Sequence, residues 1–170
     1  MYGLARPGSA ASARVLPRRY HALGFANVAD QHLDVPIQLR FGDMDINNHI
    51  NNVEFARIFE ESRIRSFAAW LPDRPEGFSV LVARQDIVFT AVLEYSLDPV
   101  TVRSCVSRIG NTSFTLSLIL IDPDGVTCAV AETTMVSVAP DTGRPTPVPD
   151  LVRDSLGAHV VEGSGIPARA

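Results

Sequence analysis

The stretch from Arg40 to Phe55 restricts this chain more than any other. Between Asp43 and Asn52 it places two aspartates, one histidine and four asparagines within ten residues. From Asn51 an apolar-periodic run continues to Trp70, with no glycine or proline until Pro72. A polar loop feeding a long helix satisfies both halves. Asn51 suits the N-cap, and Glu54, three residues on, suits the reciprocal position of a capping box. Phe55, Ile58, Phe59, Phe67 and Trp70 recur at mixed three- and four-residue steps, with Arg57, Glu60, Glu61, Arg63 and Arg65 between them. Such a helix is about 28 Å long at ~1.5 Å per residue, enough to cross a small sheet. Its positive dipole end and unpaired amides point back at Asp45 and His49.

At 170 residues the chain suits one domain whose core needs no staples. A net charge of −4 leaves no basic surface for nucleic acid. No apolar run approaches the ~20 residues of a membrane-spanning helix. Cys105 and Cys128 fall inside alternating apolar runs and read as buried thiols in a reducing, cytoplasmic compartment; a metal site needs more ligands than these. The first acidic residue is Asp30, preceded by Arg6, Arg14, Arg18 and Arg19 among Ala, Ser and Gly. This bias fits a flexible tail and also resembles an organelle transit peptide. It does not fit a secretory signal, because no apolar core follows the arginines.

Val35, Ile37, Leu39 and Phe41 alternate with Pro36, Gln38 and Arg40, the period of a strand that starts or lies at an edge near Pro36. Beyond the helix, residues 71–77 form a loop by their breakers. Residues 78–82 and 86–92 read as a strand bent near Arg84 and Gln85. After the turn at Asp98 and Pro99, residues 100–109 form a strand, and Gly110 and Asn111 turn the chain again. Residues 114–121 and 126–138, joined at Asp122 to Gly125, read as a long antiparallel hairpin. Leu151 to Leu156 add a short helical turn. The sum is α+β: one strand, one long helix, then about four strands in meander order, an antiparallel sheet on a single helix. The sheet face turned from the helix reads as rich in Val, Leu and Ile, and a second subunit is its simplest cover. The expected division is a flexible or loosely packed extension over 1–32, a folded domain over 33–156 and a disordered tail over 157–170.

The run Asp43-x-Asp45-x-x-x-His49-x-Asn51-Asn52, followed by Phe55 and Glu60-x-x-Arg63, resembles the signature of hotdog-fold acyl thioesterases of the 4-hydroxybenzoyl-CoA thioesterase type. From Asp45 to Val53 it is closer still to plant-type acyl-ACP thioesterases, with Asp45, Asn47 and His49 on alternate positions. The likeness extends to residues 109–113 and 143–149, and so covers residues 33 to 156. Asn48 stands where many bacterial members carry glycine, and asparagine tolerates the left-handed conformation. Leu97 replaces the glycine that often precedes the aspartate opening the third strand, here Asp98. The resemblance implies a hotdog fold, with a curved antiparallel sheet of about five or six strands wrapped around one central helix, in a homodimer or a dimer of dimers. It implies hydrolysis of an acyl thioester in fatty acid metabolism, with acyl-CoA preferred to acyl-ACP as substrate and no metal or cofactor.

Asp45 has two readings. By residue type, an aspartate in a polar loop is a turn or cap residue. The resemblance makes it the catalytic carboxylate, activating water or attacking the thioester directly. It further implies that His49 is a second acid–base group oriented by Asn47 in the acyl-ACP pattern, or a shaper of the loop in the acyl-CoA pattern. It puts the carbonyl-polarising amide at Asn52, on the helix start, and, with Asp98 as anchor, a further catalytic glutamate at Glu94. Glu60 and Arg63 read as a helix-surface pair. Arg84, Arg103 and Arg108 read as solvated surface or as partners for the phosphates of CoA. Acyl chains belong along the helix and between subunits. Two rivals stand beside this reading: a hotdog domain that binds acyl thioesters without turnover, and a dehydratase of the same fold, against which the Asp-x-Asn-x-His-x-Asn-Asn spacing speaks.

Overall fold

The computed structural model describes residues 31–164 and 166; residues 1–30 of the extension expected over 1–32 lie outside them, as do 165 and 167–170. The chain enters through β1 (Leu33–Ile37) and makes one 3₁₀ turn at Phe41–Asp43 before helix α1 (Asn52–Trp70). Strands β2 (Ser79–Phe89), β3 (Val100–Ile109), β4 (Ser113–Ile121) and β5 (Thr127–Val138) follow, and helix α2 (Asp150–Gly157) comes last. No helix of the described residues is long and apolar enough to cross a membrane.

Helix α1 starts where its cap requires. Asn51 is extended, and its side chain accepts a hydrogen bond from the Val53 amide at 3.3 Å. The capping box does not form. Glu54 turns its carboxylate to Arg57 at 2.6 Å and Arg40 at 3.1 Å, because a guanidinium in reach is a stronger partner than a neutral amide. The buried stripe of α1 is Phe55, Ile58, Phe59, Ser62, Arg63, Ser66 and Trp70. Ser62 and Ser104 of β3 share a hydrogen bond at 2.9 Å where helix and sheet meet. These hydroxyls interrupt the apolar period that the sequence displays. Arg63 is only 6% exposed and forms no ion pair with Glu60 among the described residues, so the helix-surface pair is corrected. Burial pulls its pKa down, and Glu60 offsets this only in part.

The five strands pair antiparallel in the order β1-β3-β4-β5-β2. The β4–β5 hairpin and the bend in β2, a bulge between Val82 and Arg84, stand as expected. The simple meander does not. β2 pairs with β5 at one edge, Ser79 opposite Val138 and Phe89 opposite Ala129, while β1 takes the place beside β3. Local periodicity specifies a strand but not its neighbour, and the segment 90–99 carries the chain across the sheet.

Residues paired directly across antiparallel strands point to the same side. The inner face is therefore Phe114, Leu116, Leu118 and Leu120 against Met135, Thr133, Ala131 and Ala129, closing the core on α1. The outer face carries Thr115, Ser117, Thr134, Glu132, Arg84 and Asp86 in its middle, so it is more polar than the sequence reading had it. Part of its cover is the chain's own C-terminal segment. α2 buries Val152 and Leu156. His159 then stacks on Trp70 with ring centroids 4.6 Å apart. The bulge between Val106 and Arg108 leaves the Val106 backbone to bond His159 and Val161, each at 2.9 Å. Ser164 accepts a hydrogen bond from Ser117 through its carbonyl oxygen. The disordered tail expected from residue 157 is corrected accordingly for residues 157–164. Their docking depends on one stacked ring and one bulged strand, neither of which has a local sequence signature.

Deleting residues 158–170 removes the two backbone hydrogen bonds to Val106, the two that His159 and Val160 make back to Leu156 and Gly157, and the buried Val161. The expected loss is on the order of 3 kcal/mol, read as a lower urea midpoint with native circular dichroism retained; an unchanged midpoint would show that the segment contributes nothing.

Candidate active site

The site is built from Asp43 outward. Its side chain is fully buried and accepts three hydrogen bonds: from the Arg40 amide at 2.8 Å, Arg40 Nε at 2.8 Å and Arg57 Nη2 at 2.6 Å. Its carbonyl accepts the Asn51 amide at 2.8 Å. One residue thus joins the chain leaving β1 to the cap of α1. Burial pushes the Asp43 pKa up, but the Arg40 amide and guanidinium together with Arg57 outweigh this and hold it below the ordinary 3.8.

Between those anchors the loop closes on itself. Met44 bridges Ile50, the Asp45 amide donates to the His49 carbonyl at 2.9 Å, and the Asn48 amide donates to the Asp45 carbonyl at 3.0 Å. Asn48 takes φ of 59°, the left-handed conformation in which glycine and asparagine cost least. Asp45 Oδ1 accepts the Asn47 amide at 2.7 Å, and the Asn47 side-chain nitrogen lies 3.5 Å from Oδ2. A second segment then clasps the loop from outside. The Ile50 amide donates to Leu93 at 2.9 Å, and His49 lies opposite Glu94 in an isolated antiparallel bridge. Residues opposed in that way carry side chains on one face, with Cβ atoms about 5 Å apart.

A cavity of about 210 Å³ opens at this junction. Asp45, His49 and Asn52 form its polar side; Phe55, Phe89 and Leu93 form its apolar side. The Phe55 and Phe89 rings meet edge to face at 5.1 Å. Asn52 is the first residue of α1, so no carbonyl a turn earlier in the helix takes its amide, which sits at the positive end of the dipole. A carboxylate that can take a proton, an imidazole and an amide suited to a developing oxyanion therefore share one partly apolar space. The two thiols are poor nucleophiles at neutral pH: burial raises Cys105 and pushes Cys128 up to about 12.

Of the residues expected from the sequence, Asp45, His49 and Asn52 come together around the cavity. Asn47 sits at the rim, bonded to Asp45 and not to His49. Glu94 is exposed beside His49, outside the cavity lining. Arg84, Arg103 and Arg108 do not line this cavity. Arg103 grips Asp34 through two hydrogen bonds of 2.8 and 2.7 Å, and Arg84 pairs with Asp86 at 2.6 Å. Sequence reasoning missed the wall formed by Phe89 and residues 91–93, because β2 ends at Phe89 and the following residues leave the sheet to clasp the loop. It also missed Asp43 as the anchor, although Arg40 and Arg57 flank it at three and fourteen residues.

A five-stranded antiparallel sheet closed on one long helix, with a carboxylate and a histidine at that helix's N-terminus, places the chain among hotdog-fold proteins. Residues 39–156 match the thioesterase-like superfamily, and the chain belongs to that family. It is similar to the structure of a predicted thioesterase from Bacillus stearothermophilus, at 32% identity over 77% of this chain and 98% of that one, with a TM-score of 0.70. A thioesterase from Thermus thermophilus complexed with coenzyme A and Zn is 28% identical over 72% of this chain and 95% of that one, with a TM-score of 0.64. The PA5185 protein of Pseudomonas aeruginosa is 26% identical over 76% and 93%, with a TM-score of 0.68. No curated protein matches the chain.

Because the folded-state pKa of Asp43 is depressed, its stabilisation is full above the unfolded value near 3.8 and is lost as pH falls through the folded one. Asp43→Asn is expected to lower stability at pH 7 by about 2 kcal/mol. The decline in Tm between pH 5 and 2 should become shallower in the variant, with Asp34, held low by its bond to Arg103, still contributing. Parallel Tm–pH curves for wild type and variant would contradict the assignment.

Proposed function

We propose that this protein is an acyl-CoA thioesterase, hydrolysing an acyl thioester to the free acid and CoA. The observation that carries the reading is the meeting of Asp45 and Asn52 at one partly apolar cavity on the N-terminus of α1. Family membership and the coenzyme A complex of the Thermus relative support the choice of thioester and carrier.

In this reading the thioester carbonyl oxygen points at the Asn52 amide, and the acyl group lies against Phe55, Phe89 and Leu93. Asp45 takes a proton from water as the water oxygen attacks the carbonyl carbon. The carbon–sulfur bond then breaks, and the proton passes to the departing thiolate. Alternatively an Asp45 oxygen attacks the carbonyl carbon and the carbon–sulfur bond breaks to release the thiolate, leaving a mixed anhydride that water hydrolyses to the free acid and Asp45. His49 and Glu94 border the path for protons. Asn47 holds the Asp45 carboxylate through its amide at 2.7 Å. That bond favours the acyl-CoA pattern over the acyl-ACP pattern, in which Asn47 serves His49. Two copies joined along the open edge of β2 would narrow the cavity mouth, a role suited to exposed Leu81, Val82 and Phe89. Both cysteines are free and buried, which fits a reducing cytoplasm.

Thiol release from a panel of acyl-CoAs, short, long and aromatic, tests the reading with wild type and Asp45→Ala side by side. Wild-type turnover is expected to fall at least ~100-fold in the variant. A wild type inert on the whole panel and on acyl-ACP would leave acyl-thioester binding without turnover.

A further inference from the structure

Four polar atoms on the inner side of the fold have no hydrogen-bond partner among the described residues: Arg63 Nη1 and Ser66 Oγ on α1, Thr133 Oγ1 on β5 and Gln85 Nε2 on β2. The thioester chemistry proposed above uses none of them. Arg63 is 6% exposed, and Ser66 and Thr133 are fully buried. A guanidinium taken out of water without a partner is costly. The four lie at one level of the fold. Gln85 and Thr133 stand opposite each other in the β2–β5 ladder, and Thr133 stands opposite Leu116 on the inner face. Ser66 follows Arg63 at a three-residue step, on the same side of α1. Two contacts set the height of that turn. Ser62 bonds Ser104, whose row runs through Leu118 to Ala131, and Phe67 meets Phe114, whose row runs to Met135. Thr133 lies between Ala131 and Met135, as Arg63 and Ser66 lie between Ser62 and Phe67. The bulge between Val82 and Arg84 completes the set. Without its extra residue Arg84 would fall opposite Thr133; with it, Gln85 turns inward.

An apolar strip joins this level to the candidate active site. Phe89 and Ile87 lead along the inner side of β2 to Gln85, and Phe55 and Phe59 lead along α1 to Arg63. From Phe89 to Gln85 is about 13 Å at ~3.3 Å per residue. From Phe55 to Arg63 is about 12 Å at ~1.5 Å per residue, so the two routes agree. Helix α1 packs on β1 and β3, which leaves the inner side of β2 incompletely closed: Phe89 is 42% exposed and Ile87 half-buried. Phe55 and Phe89 are also walls of the cavity. An acyl chain seated between them therefore runs toward the four polar atoms. Their chemistry selects what ends that chain. All four can donate a hydrogen bond, and the guanidinium and amide nitrogens can do nothing else. A methyl terminus leaves every one of them unpaired. A carboxylate, whose two oxygens accept about four hydrogen bonds, matches them in number and in charge.

We propose that Arg63, with Ser66, Gln85 and Thr133, binds a carboxylate at the far end of the acyl group, so that the preferred substrate is a medium-chain acyl thioester carrying an ω-carboxylate. The proposal rests on the thioesterase reading for its substrate, and it deepens that reading by naming the acyl class.

Octanoyl-CoA and decanoyl-CoA, each beside its ω-carboxylated counterpart, test it on the full chain with wild type, Arg63→Met and Gln85→Leu. The quantity read is the ratio of kcat/KM within each pair. In the wild type it is expected to favour the ω-carboxylated member by at least ~10-fold. Arg63→Met is expected to abolish that advantage and Gln85→Leu to reduce it. A wild type that hydrolyses both members of each pair equally overturns the proposal and leaves the thioesterase reading intact, as does an advantage that survives in Arg63→Met. A wild type inert on all four thioesters removes the hydrolase reading, and calorimetric titration of the same pairs then decides the proposal. Binding at least ~10-fold tighter for the ω-carboxylated members supports it, and equal affinities overturn it. Should Arg63→Met fail to fold by circular dichroism, Gln85→Leu takes its place. The ratio should then fall at least ~3-fold, and an unchanged ratio overturns the assignment.

Discussion

The buried carboxylate of Asp43 is the contact on which the rest of the site depends. A carboxylate taken out of water is stable only when its lone pairs are satisfied, and here one amide and two guanidinium groups satisfy them. The donors come from both sides of the loop, Arg40 before it and Arg57 one turn into α1. Charge neutralisation and chain geometry are therefore the same event. The Asp43 carbonyl adds the bond to Asn51 that sets the cap. With both ends of residues 43–51 fixed by one residue, the loop has little room to place Asp45 anywhere but at the helix N-terminus.

Inside that frame the two oxygens of Asp45 are held unequally. One oxygen of Asp45 is held by the Asn47 amide at 2.7 Å, while the other has only the longer 3.5 Å approach of the Asn47 side chain. A carboxylate oriented through one oxygen can accept a proton on the other without losing its position. The left-handed Asn48 supplies the reversal that brings His49 back beside Asp45. A β-branched residue there meets the steric cost of positive φ, so the glycine or asparagine expected at this position answers to backbone geometry and not to chemistry.

Those features whose cause is local were legible in the sequence. The Asn51 cap, the end of α1 before Pro72, the β4–β5 turn and the bend of β2 each follow from a few adjacent residues. Non-local choices were not legible. Nothing in the alternation of residues 79–89 distinguishes a strand beside β3 from one beside β5, and the crossover of residues 90–99 shows only when the register is known. Asp43 and Asp45 are the same residue type two positions apart. Which one is buried is decided by arginines on two other segments, so the resemblance pointed to the half-buried Asp45 and passed over the buried Asp43. Glu54 illustrates the same limit: a capping box is a local pattern, and a pair of nearby arginines displaced it.

The position of β2 ties fold to function. It is one of the two edges of the sheet, and an edge that exposes Leu81, Val82 and Phe89 is open to further pairing unless something blunts it. Its bulge and its charged pair Arg84 and Asp86 lie in the middle of the strand, while Phe89 at its end is also a wall of the cavity. A contact along this edge would therefore reach the site through one side chain. The segment leaving Phe89 continues the coupling, since residues 91–93 line the cavity and Leu93 holds the loop at Ile50. Part of the apolar side of the site, Phe89, thus stands on an edge strand, and its polar side on the loop anchored through Asp43. The physical consequence is a division of labour: the Asp43 clamp fixes the position of the Asp45 loop, and the end of β2 helps set the shape of the cavity beside it.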